Sequence, residues 1–434
     1  MLLSVRSFFC CLAVCAVLRA ATFGPQRVSG QVVFEEDVSG RLLMNTSDSA
    51  NEHIVFNGMH TQELYDTVRM QQSVIEQAEA AIVQIQRKNM AQASHIQLLE
   101  DRLCRLNAYP PTSTFISLPD TSGSNTGAWT SGVLANNGLI YAISNQATFI
   151  LIIDPETNTI DDTTLSGLGE IMSDWQGAVL GGNGLIYALP FNSRSIMVIN
   201  PATNTVDTAA IGGFPAESGK WHGGVLASRT NGGIYGIPWQ STSVLIIDPG
   251  TNATDMTTIS GLSSAGFKWL AGAEANNGKL YMLPFGAASV LIVNPVDNTF
   301  DTDSISGLPA SARFSGAVLA DNGKIYGIPV PHDSVLVINP NDDSTTTIAV
   351  PFGASKWFGG VLVPDGRIFG IPYDASSALI IDPTTDTVDY TSFTDFPAGD
   401  MKWRGGVLAG NGIIYGIPYS IDSVLLIDPG CWLP

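Results

Sequence analysis

Residues 314–350 read FSGAVLADNGKIYGIPVPHDSVLVINPNDDSTTTIAV, and this pattern decides the fold. An aromatic residue, Phe314, opens a short apolar run that ends at Asn322-Gly323. That dipeptide predicts a hairpin, because it accepts the positive φ angles of a type I′ turn. A second run ends at Pro329, a third ends at Asn339-Pro340, and a threonine-rich run follows. The unit therefore predicts four short strands joined by tight turns.

The same unit recurs seven times along the chain. Its aromatic residue repeats at spacings of 43 to 48 positions, at Trp129, Trp175, Trp221, Trp269, Phe314, Trp357 and Trp403. Seven copies of a four-stranded unit of about 46 residues are typical of a β-propeller, because one such sheet cannot bury both of its faces alone. We predict an all-β, seven-bladed β-propeller over residues 108–434, with an N-terminal α-helical coiled coil before it.

The turn after the third run is predicted to be structural rather than catalytic. Its first residue is Asp at 154, 248, 382 and 428 but Asn at 200, 294 and 339, and Pro follows in every copy. Since the charge is dispensable, the shared role is a side-chain oxygen that accepts a backbone N–H, with Pro presetting φ.

The repeat resembles known propeller families. The strings Gly-Lys-Ile-Tyr and Ser-Val-Leu-Ile-Ile-Asp-Pro resemble kelch and YVTN-type repeats over residues 113–430, although Gly-Ile-Pro replaces the usual Gly-Gly after the Tyr. The order of coiled coil and propeller is also similar to olfactomedin-type proteins, without their motifs. The resemblance implies the fold and not the function, because such repeats serve enzymes, receptors and scaffolds alike.

The ring is predicted to close by strand exchange between the chain's ends. The last copy stops at Asp428-Pro429, before its fourth strand. The segment 114–119 matches the fourth strand of another copy, Ser304 to Pro309, with one residue deleted. Residues 113–119 should therefore fill the outer edge of the seventh blade and remove two exposed strand edges.

Three segments precede the propeller. Residues 1–21 predict a signal peptide with an apolar run from Phe8 to Leu18, which is short for a membrane span; a retained signal anchor is the alternative. Residues 22–59 predict an irregular N-terminal arm. Residues 60–107 predict a coiled coil, because apolar residues repeat every seven positions, as at Ile75, Ile82 and Ile96. We expect a parallel dimer or trimer; the alternative is an amphipathic helix lying on the following domain.

The cysteine content and the glycosylation motifs are consistent with an exported protein. After signal removal only Cys104 and Cys431 remain, and they are predicted to form an intrachain disulfide, because both lie where the closing strand begins. Asn45 and Asn252 begin glycosylation sequons. The expected location is secreted or extracellular, with no membrane span in the mature chain.

Composition and motifs exclude several functional classes. The chain has 39 acidic and 20 basic residues, a net charge of −19, which argues against nucleic acid or an anionic membrane as partner. It contains no nucleophile elbow, zinc-protease helix or P-loop, so we expect no catalytic residue, cofactor or metal from linear motifs. We predict a binding or structural protein of the cell surface or matrix. The alternative is an extracellular lyase or hydrolase whose site gathers at the channel mouth from several blades, as in the streptogramin lyases.

One position interrupts the repeat. Where Glu274 stands near the end of the innermost strand, the other six copies have Leu134, Leu180, Leu226, Leu319, Leu362 and Leu408. A carboxylate there must face water or be paired, because an unpaired buried charge is costly. It is a candidate site residue; a solvated channel residue or a local register shift is the simpler interpretation.

A second pattern predicts a ligand face. The residue before the blade aromatic is basic in five consecutive copies: Lys220, Lys268, Arg313, Lys356 and Lys402. The loop between the second and third strands carries Phe191, Trp239, Phe285, Tyr373 and Tyr419. In propellers these two connections share one face, so cations and aromatics should alternate around one rim. Such a rim suits a carboxylated or sulfated glycan, or an acidic protein ligand. Alternatively, the Trp packs between blades and the Lys side chain covers it.

Overall fold

The computed structural model describes residues 109–430 except 120–127, 169–173, 310, 352–355 and 395, together with short stretches between residues 32 and 92. The chain divides into two compact units, residues 1–99 and 100–434. The predicted signal peptide, Cys104 and Cys431 lie outside the described residues.

The described stretches of the first unit include two short hairpins and helical residues. In the predicted arm, β1 (Val32–Glu36) pairs with β2 (Leu42–Thr46), and β3 (Val55–Phe56) pairs with β4 (Met59–His60). Asn45 lies on β2. Helical residues are described at 69–78, 80–85 and 87–89, a part of the predicted coiled-coil range. Association between chains stays a prediction. No helix of the described part of the chain is long and apolar enough to cross a membrane.

The second unit is a β-propeller of seven four-stranded antiparallel sheets, as predicted. Its first strand is β5 (Thr112–Ser117). Blade 1 has β6 (Trp129–Leu134), β7 (Ile140–Ser144), β8 (Leu151–Asp154) and β9 (Thr159–Asp161). Blade 2 has β10 (Trp175–Leu180), β11 (Ile186–Pro190), β12 (Ser195–Asn200) and β13 (Thr205–Gly212). Blade 3 has β14 (Trp221–Leu226), β15 (Ile234–Pro238), β16 (Leu245–Asp248) and β17 (Ala253–Asp255). Blade 4 has β18 (Trp269–Glu274), β19 (Leu280–Pro284), β20 (Leu291–Asn294) and β21 (Thr299–Asp301). Blade 5 has β22 (Phe314–Leu319), β23 (Ile325–Pro329), β24 (Ser334–Asn339) and β25 (Ser344–Ala349). Blade 6 has β26 (Trp357–Leu362), β27 (Ile368–Pro372), β28 (Leu379–Asp382) and β29 (Thr387–Asp389). Blade 7 has β30 (Trp403–Leu408), β31 (Ile414–Pro418) and β32 (Ser423–Asp428).

The predicted closure is confirmed. Strand β5 completes blade 7 by pairing antiparallel with β32, in a register that runs from Ser423 opposite Ser117 to Asp428 opposite Thr112. The first strands of neighbouring blades pack side by side around the ring, including β30 of blade 7 against β6 of blade 1. They therefore surround a central axis, and every blade packs against a neighbour on both sides.

The repeated aromatic residue holds each blade to its neighbour. All seven side chains are 5% exposed or less, and each lies in a core built from two adjacent blades. Each Trp also donates its indole N–H to a backbone carbonyl of its own blade, as Trp221 does to Ser243 at 2.8 Å. Burying such a side chain contributes roughly 1.5–3 kcal/mol. The aromatic repeat is therefore structural.

The turn chemistry predicted from the Asp/Asn alternation is confirmed. In all seven copies the Asp or Asn side-chain oxygen accepts the backbone N–H two residues later, as Asp154 does from Glu156 at 2.9 Å. The residue that ends this turn is Asn or Asp at positive φ, as at Asn252 (φ 59°). Its side chain is exposed, and its Oδ1 accepts a hydrogen bond from Tyr187 of the preceding blade at 2.9 Å. The second predicted sequon thus lies at a contact between blades.

This inter-blade latch recurs with one exception. A turn Asn and the Tyr four residues later bond to the next blade's Pro carbonyl or its Asn/Asp side chain, as Asn411 and Tyr415 do to Pro155 and Asn158. Blade 6 has Phe369 at the Tyr position, and Arg367 instead donates to the carbonyl of Pro429 at 2.8 Å. In the sequence of blade 7, the position four residues after Asp428 is Trp432, whereas the other copies have Asn or Asp there, so this residue type offers no side-chain oxygen to accept from a Tyr.

Candidate functional site

The innermost strands begin with a β-bulge immediately after the aromatic residue. All seven show a register shift there against the second strand. In blades 2, 3, 6 and 7 the third residue is glycine at positive φ: Gly177, Gly223, Gly359 and Gly405. A bulge bends its strand and redirects the adjacent side chain. The residue between the aromatic and this glycine is Gln176, His222, Phe358 or Arg404.

Three of these side chains meet across the central axis. Nη2 of Arg404, in blade 7, lies 3.0 Å from Nε2 of His222 in blade 3 and 3.4 Å from Oε1 of Gln176 in blade 2. The guanidinium carbon lies 4.7 Å from the ring centre of Phe358 and 5.2 Å from that of Tyr419. Tyr373 packs against both rings, at 5.3 and 6.1 Å. We call these six residues the Arg404 cluster.

The cluster carries a single formal positive charge. Burial, together with the nearby Arg404, holds the pKa of His222 well below its usual value, so the imidazole is neutral and its Nε2 accepts from the guanidinium. Burial also lowers the pKa of Arg404, against the opposing effect of Tyr419 and Tyr373, but a guanidinium stays charged at any physiological pH. Burial raises the pKa of Tyr373 to about 12. Within the described part of the chain, Arg404 makes no ion pair with a carboxylate.

Several polar atoms of this region have no hydrogen-bond partner. Nε of Arg404, Oγ1 of Thr130 and Oγ of Ser131 are all buried and unpartnered. Thr130 follows the aromatic of blade 1, so it holds the same repeat position as Arg404 in the adjacent blade 7. An unpaired buried donor costs about 1–3 kcal/mol. Three of them on two neighbouring inner strands mark this end of the channel as unusual within the propeller.

The predicted aromatic rim, formed by Phe191, Trp239, Phe285, Tyr373 and Tyr419, lies at the same end of the channel as the Arg404 cluster. Tyr373 and Tyr419 belong to both groups, and His222 lies 6.0 Å from Phe191 and 5.7 Å from Trp239, between ring centres. Trp239 packs on Phe285 at 4.9 Å. Apart from Trp239, which is buried, the rim side chains are half-buried.

The two connections predicted to share a face are joined by backbone hydrogen bonds. The N–H of Trp239 donates to the carbonyl of Lys220 at 3.0 Å, and the N–H of Lys268 donates to the carbonyl of Trp239 at 2.9 Å. The same alternation recurs at Tyr373 and Lys402. Basic and aromatic positions therefore alternate around this rim along the backbone.

The side chains of the five basic residues divide into two groups. Lys220, Lys268 and Lys402 are buried, with 1–2% of each residue exposed. Each ammonium group donates to the carbonyl three residues earlier; the acceptors are Glu217, Ala265 and Gly399, at 2.7, 3.0 and 2.9 Å. Burial lowers the pKa of Lys268 to about 8. Each ammonium group also donates to a carbonyl in the preceding blade's connection between its second and third strands, so the lysines hold two connections together; the acceptors are Phe191, Trp239 and Ala375.

The other two cations face outward. Arg313 is exposed, with its guanidinium carbon 5.1 Å from the ring centre of Phe285. Lys356 is partly exposed, and its Nζ lies 5.7 Å from the ring centre of Trp357 and donates to the carbonyl of Pro351 at 2.9 Å. As placed, Arg313 and Lys356 are the predicted cations that a ligand can reach.

Glu274 lies away from this site, at the opposite end of its strand. Strand β18 begins at Trp269 on the rim and ends at Glu274, about 17 Å away at ~3.4 Å per residue. The carboxylate accepts from the backbone N–H of Ser228 and of Arg229 at 3.1 and 2.8 Å. It also accepts from the Ser228 hydroxyl at 2.5 Å and pairs with the Arg229 guanidinium at 3.1 Å. These contacts satisfy the carboxylate within the protein.

Arg404, Gln176 and His222 were not among the site residues predicted from the sequence. A signal was present. The position after the blade aromatic reads Thr130, Gln176, His222, Leu270, Ser315, Phe358 and Arg404. Few positions vary so widely in a unit that otherwise repeats closely, which separates them from residues that maintain the fold. Among the described residues, no group of three or more His, Cys, Asp or Glu side chains is placed to hold a metal ion.

Comparisons with known proteins identify the fold. A streptogramin B lyase structure is similar over 73% of this chain and 97% of its own, at 9% identity and a TM-score of 0.60. The virginiamycin B lyase of Staphylococcus aureus gives 10% identity and a TM-score of 0.59, over 73% of this chain and 99% of that one. The extracellular domain of a proposed one-component system from B. thetaiotaomicron gives 10% and 0.54, over 72% of this chain and 40% of that one. No protein-family profile and no curated protein matches the sequence. The likeness establishes the propeller, and the kelch or YVTN assignment stays a prediction.

Proposed function

We propose that this chain is a secreted or cell-surface binding protein whose ligand face is the aromatic rim together with the Arg404 cluster, and whose ligand is an acidic glycan. The observation that carries the proposal is an aromatic-lined channel end that holds a guanidinium without a carboxylate partner among the described residues. Half-buried aromatic faces can stack on a ligand, and the guanidinium and Arg313 can attract its negative charge.

Export is supported by the predicted signal peptide and by the extracellular domains among the structurally similar proteins. Self-association is supported by the helix of the first unit. In the single chain its heptad residues Ile75, Ile82 and Ile85 are 42%, 54% and 57% exposed, an apolar face that a second copy would cover. A dimer or trimer would present several weak binding faces at once and gain avidity.

A lyase is the second candidate, because His222 and Arg404 meet at the channel end and lyases share the fold. Two observations favour binding over catalysis. The neutral His222 accepts its hydrogen bond from a guanidinium rather than being oriented by a carboxylate. Glu274, the acidic residue that the sequence singled out, lies at the other end of the inner strands.

The test is a glycan array probed with the full-length protein at low and high salt. We expect acidic glycans to bind, and we expect high salt to weaken this binding because salt screens exposed charges. Replacing both Arg313 and Lys356 with Ser should weaken binding, whereas Lys279→Ser, which removes a charge at the opposite end of the inner strands, should not. Absence of glycan binding at either salt would refute the proposal. Cleavage of quinupristin, followed by mass spectrometry, would favour the lyase.

A further inference from the structure

We propose that Arg404, Thr130 and Ser131 form a subsite for the carboxylate of a uronic-acid residue at the channel end. The inference rests on the proposed glycan-binding function and names the group that the ligand must carry. Within the described residues, no other location combines a guanidinium that lacks a carboxylate partner, hydroxyls without a hydrogen-bond partner, and aromatic side chains.

The first argument is charge. The guanidinium of Arg404 is partly buried, and its partners are neutral: His222, Gln176, the Tyr419 side chain and the ring face of Phe358. A desolvated cation is stabilised most effectively by a hydrogen-bonded anion. The guanidinium fork matches a carboxylate in shape, and its Nε–H is still unpartnered. The contact with Gln176, at 3.4 Å, is longer than the contact with His222, at 3.0 Å, and a carboxylate oxygen can replace it.

The second argument is the set of unpartnered atoms. Thr130 is 4% exposed, and its hydroxyl and that of Ser131 have no partner. They belong to β6, which packs beside β30, the strand of Arg404. The two hydroxyls and the guanidinium N–H can all donate hydrogen bonds, so the group best suited to pair with all three is a hydrogen-bond acceptor. A carboxylate offers about four acceptor positions on two oxygens.

The third argument is the shape of the surroundings. Phe358 and Tyr419 present ring faces to the guanidinium, and Tyr373 packs against both of these rings. A uronic acid carries its carboxylate directly on the pyranose ring. When the carboxylate reaches Arg404, that ring lies against the aromatic side chains. A peptide C-terminus places a flexible backbone there instead, which gains less from rigid aromatic faces.

The experiment compares two probes with the same sugar chain, one with free carboxylates and one with methyl-esterified carboxyl groups. Isothermal titration of the full-length protein uses trigalacturonic acid and its methyl ester. We expect the acid to bind wild type at least tenfold more tightly than the ester. Arg404→Gln should abolish that preference, so that the variant binds the acid and the ester with similar affinity. Thr130→Val, which keeps the side-chain shape, should weaken acid binding several-fold. Lys279→Gln, at the opposite end of the inner strands, is the charge control and should bind both probes as wild type does.

Circular dichroism identifies any variant that fails to fold, and Thr130→Val then carries the test because it retains Arg404. Equal affinity of wild type for acid and ester overturns the inference, as does an unchanged preference in both variants. If the preference survives in these variants but disappears when Arg313 and Lys356 are replaced, the subsite is wrong and rim binding stands. A peptide with a free C-terminal carboxylate that binds more tightly than the trisaccharide overturns the sugar assignment.

Discussion

Replacing Glu274 with Leu should destabilise the propeller, although Leu is the residue of the other six blades. Blade 3 explains why. Between β14 and β15 it has the loop 227–233, whereas the corresponding loop of blade 2 is 181–185, so blade 3 is two residues longer. Alignment of the turn asparagines, Asn231 with Asn183, places the insertion at Ser228 and Arg229. Those are the two residues whose N–H groups the Glu274 carboxylate accepts.

The magnitude follows from the contacts that disappear. Leu removes two backbone hydrogen bonds, one hydroxyl bond and one ion pair. Hydrogen bonds to a charged group contribute about 1.5–3 kcal/mol each when buried. Ser228 and Arg229 are exposed, so hydrogen bonds to water replace much of the lost hydrogen-bond energy. The apolar surface that the Leu side chain buries offsets a further part of the loss. We expect a net loss of about 2 kcal/mol in the free energy of unfolding.

Urea unfolding followed by tryptophan fluorescence measures the change. Deleting Ser228 and Arg229 in the Glu274→Leu variant gives blade 3 the loop length of its neighbours and should recover most of the stability. The deletion alone should be destabilising, because it leaves the carboxylate buried without its partners. If Glu274→Leu is as stable as wild type, or if the deletion does not rescue it, the structural role assigned to Glu274 is wrong.

Three further predictions concern the blades. Tyr415→Phe should cost about 1 kcal/mol in urea unfolding, because the Tyr415 hydroxyl bonds to the next blade, whereas Phe369→Tyr should bring no gain, because the sequence has Trp432 where the other copies have the acceptor Asn or Asp. Burial lowers the pKa of Lys268 to about 8, so between about pH 8 and 9.5 the folded state releases a proton that the unfolded chain keeps. The free energy of unfolding of wild type should therefore rise with pH over this range relative to that of Lys268→Met. A difference between the two proteins that does not change with pH would contradict this prediction. Gly405→Ala should cost about 1–2 kcal/mol at φ +80°, whereas Gly410→Ala, with equally open space but no positive φ, should be nearly neutral in the same assay.

The candidate site was predictable only in part. Alternation of basic and aromatic positions around one rim follows from the repeat, because equivalent positions of equivalent blades lie on one circle. Which cations face a ligand does not follow from it. The ammonium groups of Lys220, Lys268 and Lys402 bond to carbonyls of their own loop and of the preceding blade, and these contacts depend on the folded conformation of both loops. Arg313 follows a different loop and remains exposed.

The sequence by itself determined the number of blades, the turns between strands and the strand that closes the ring. Each of these depends on short-range chemistry repeated seven times: an aromatic residue at regular spacing, an Asn-Gly or Asp-Gly turn, and an Asp-Pro or Asn-Pro turn. Only the tertiary structure decided that Arg404 meets His222, 182 positions earlier, and that Glu274 is paired. The physical reason is that local patterns specify backbone conformation, whereas a contact across the channel exists only after the ring has closed and set the distance between non-adjacent blades.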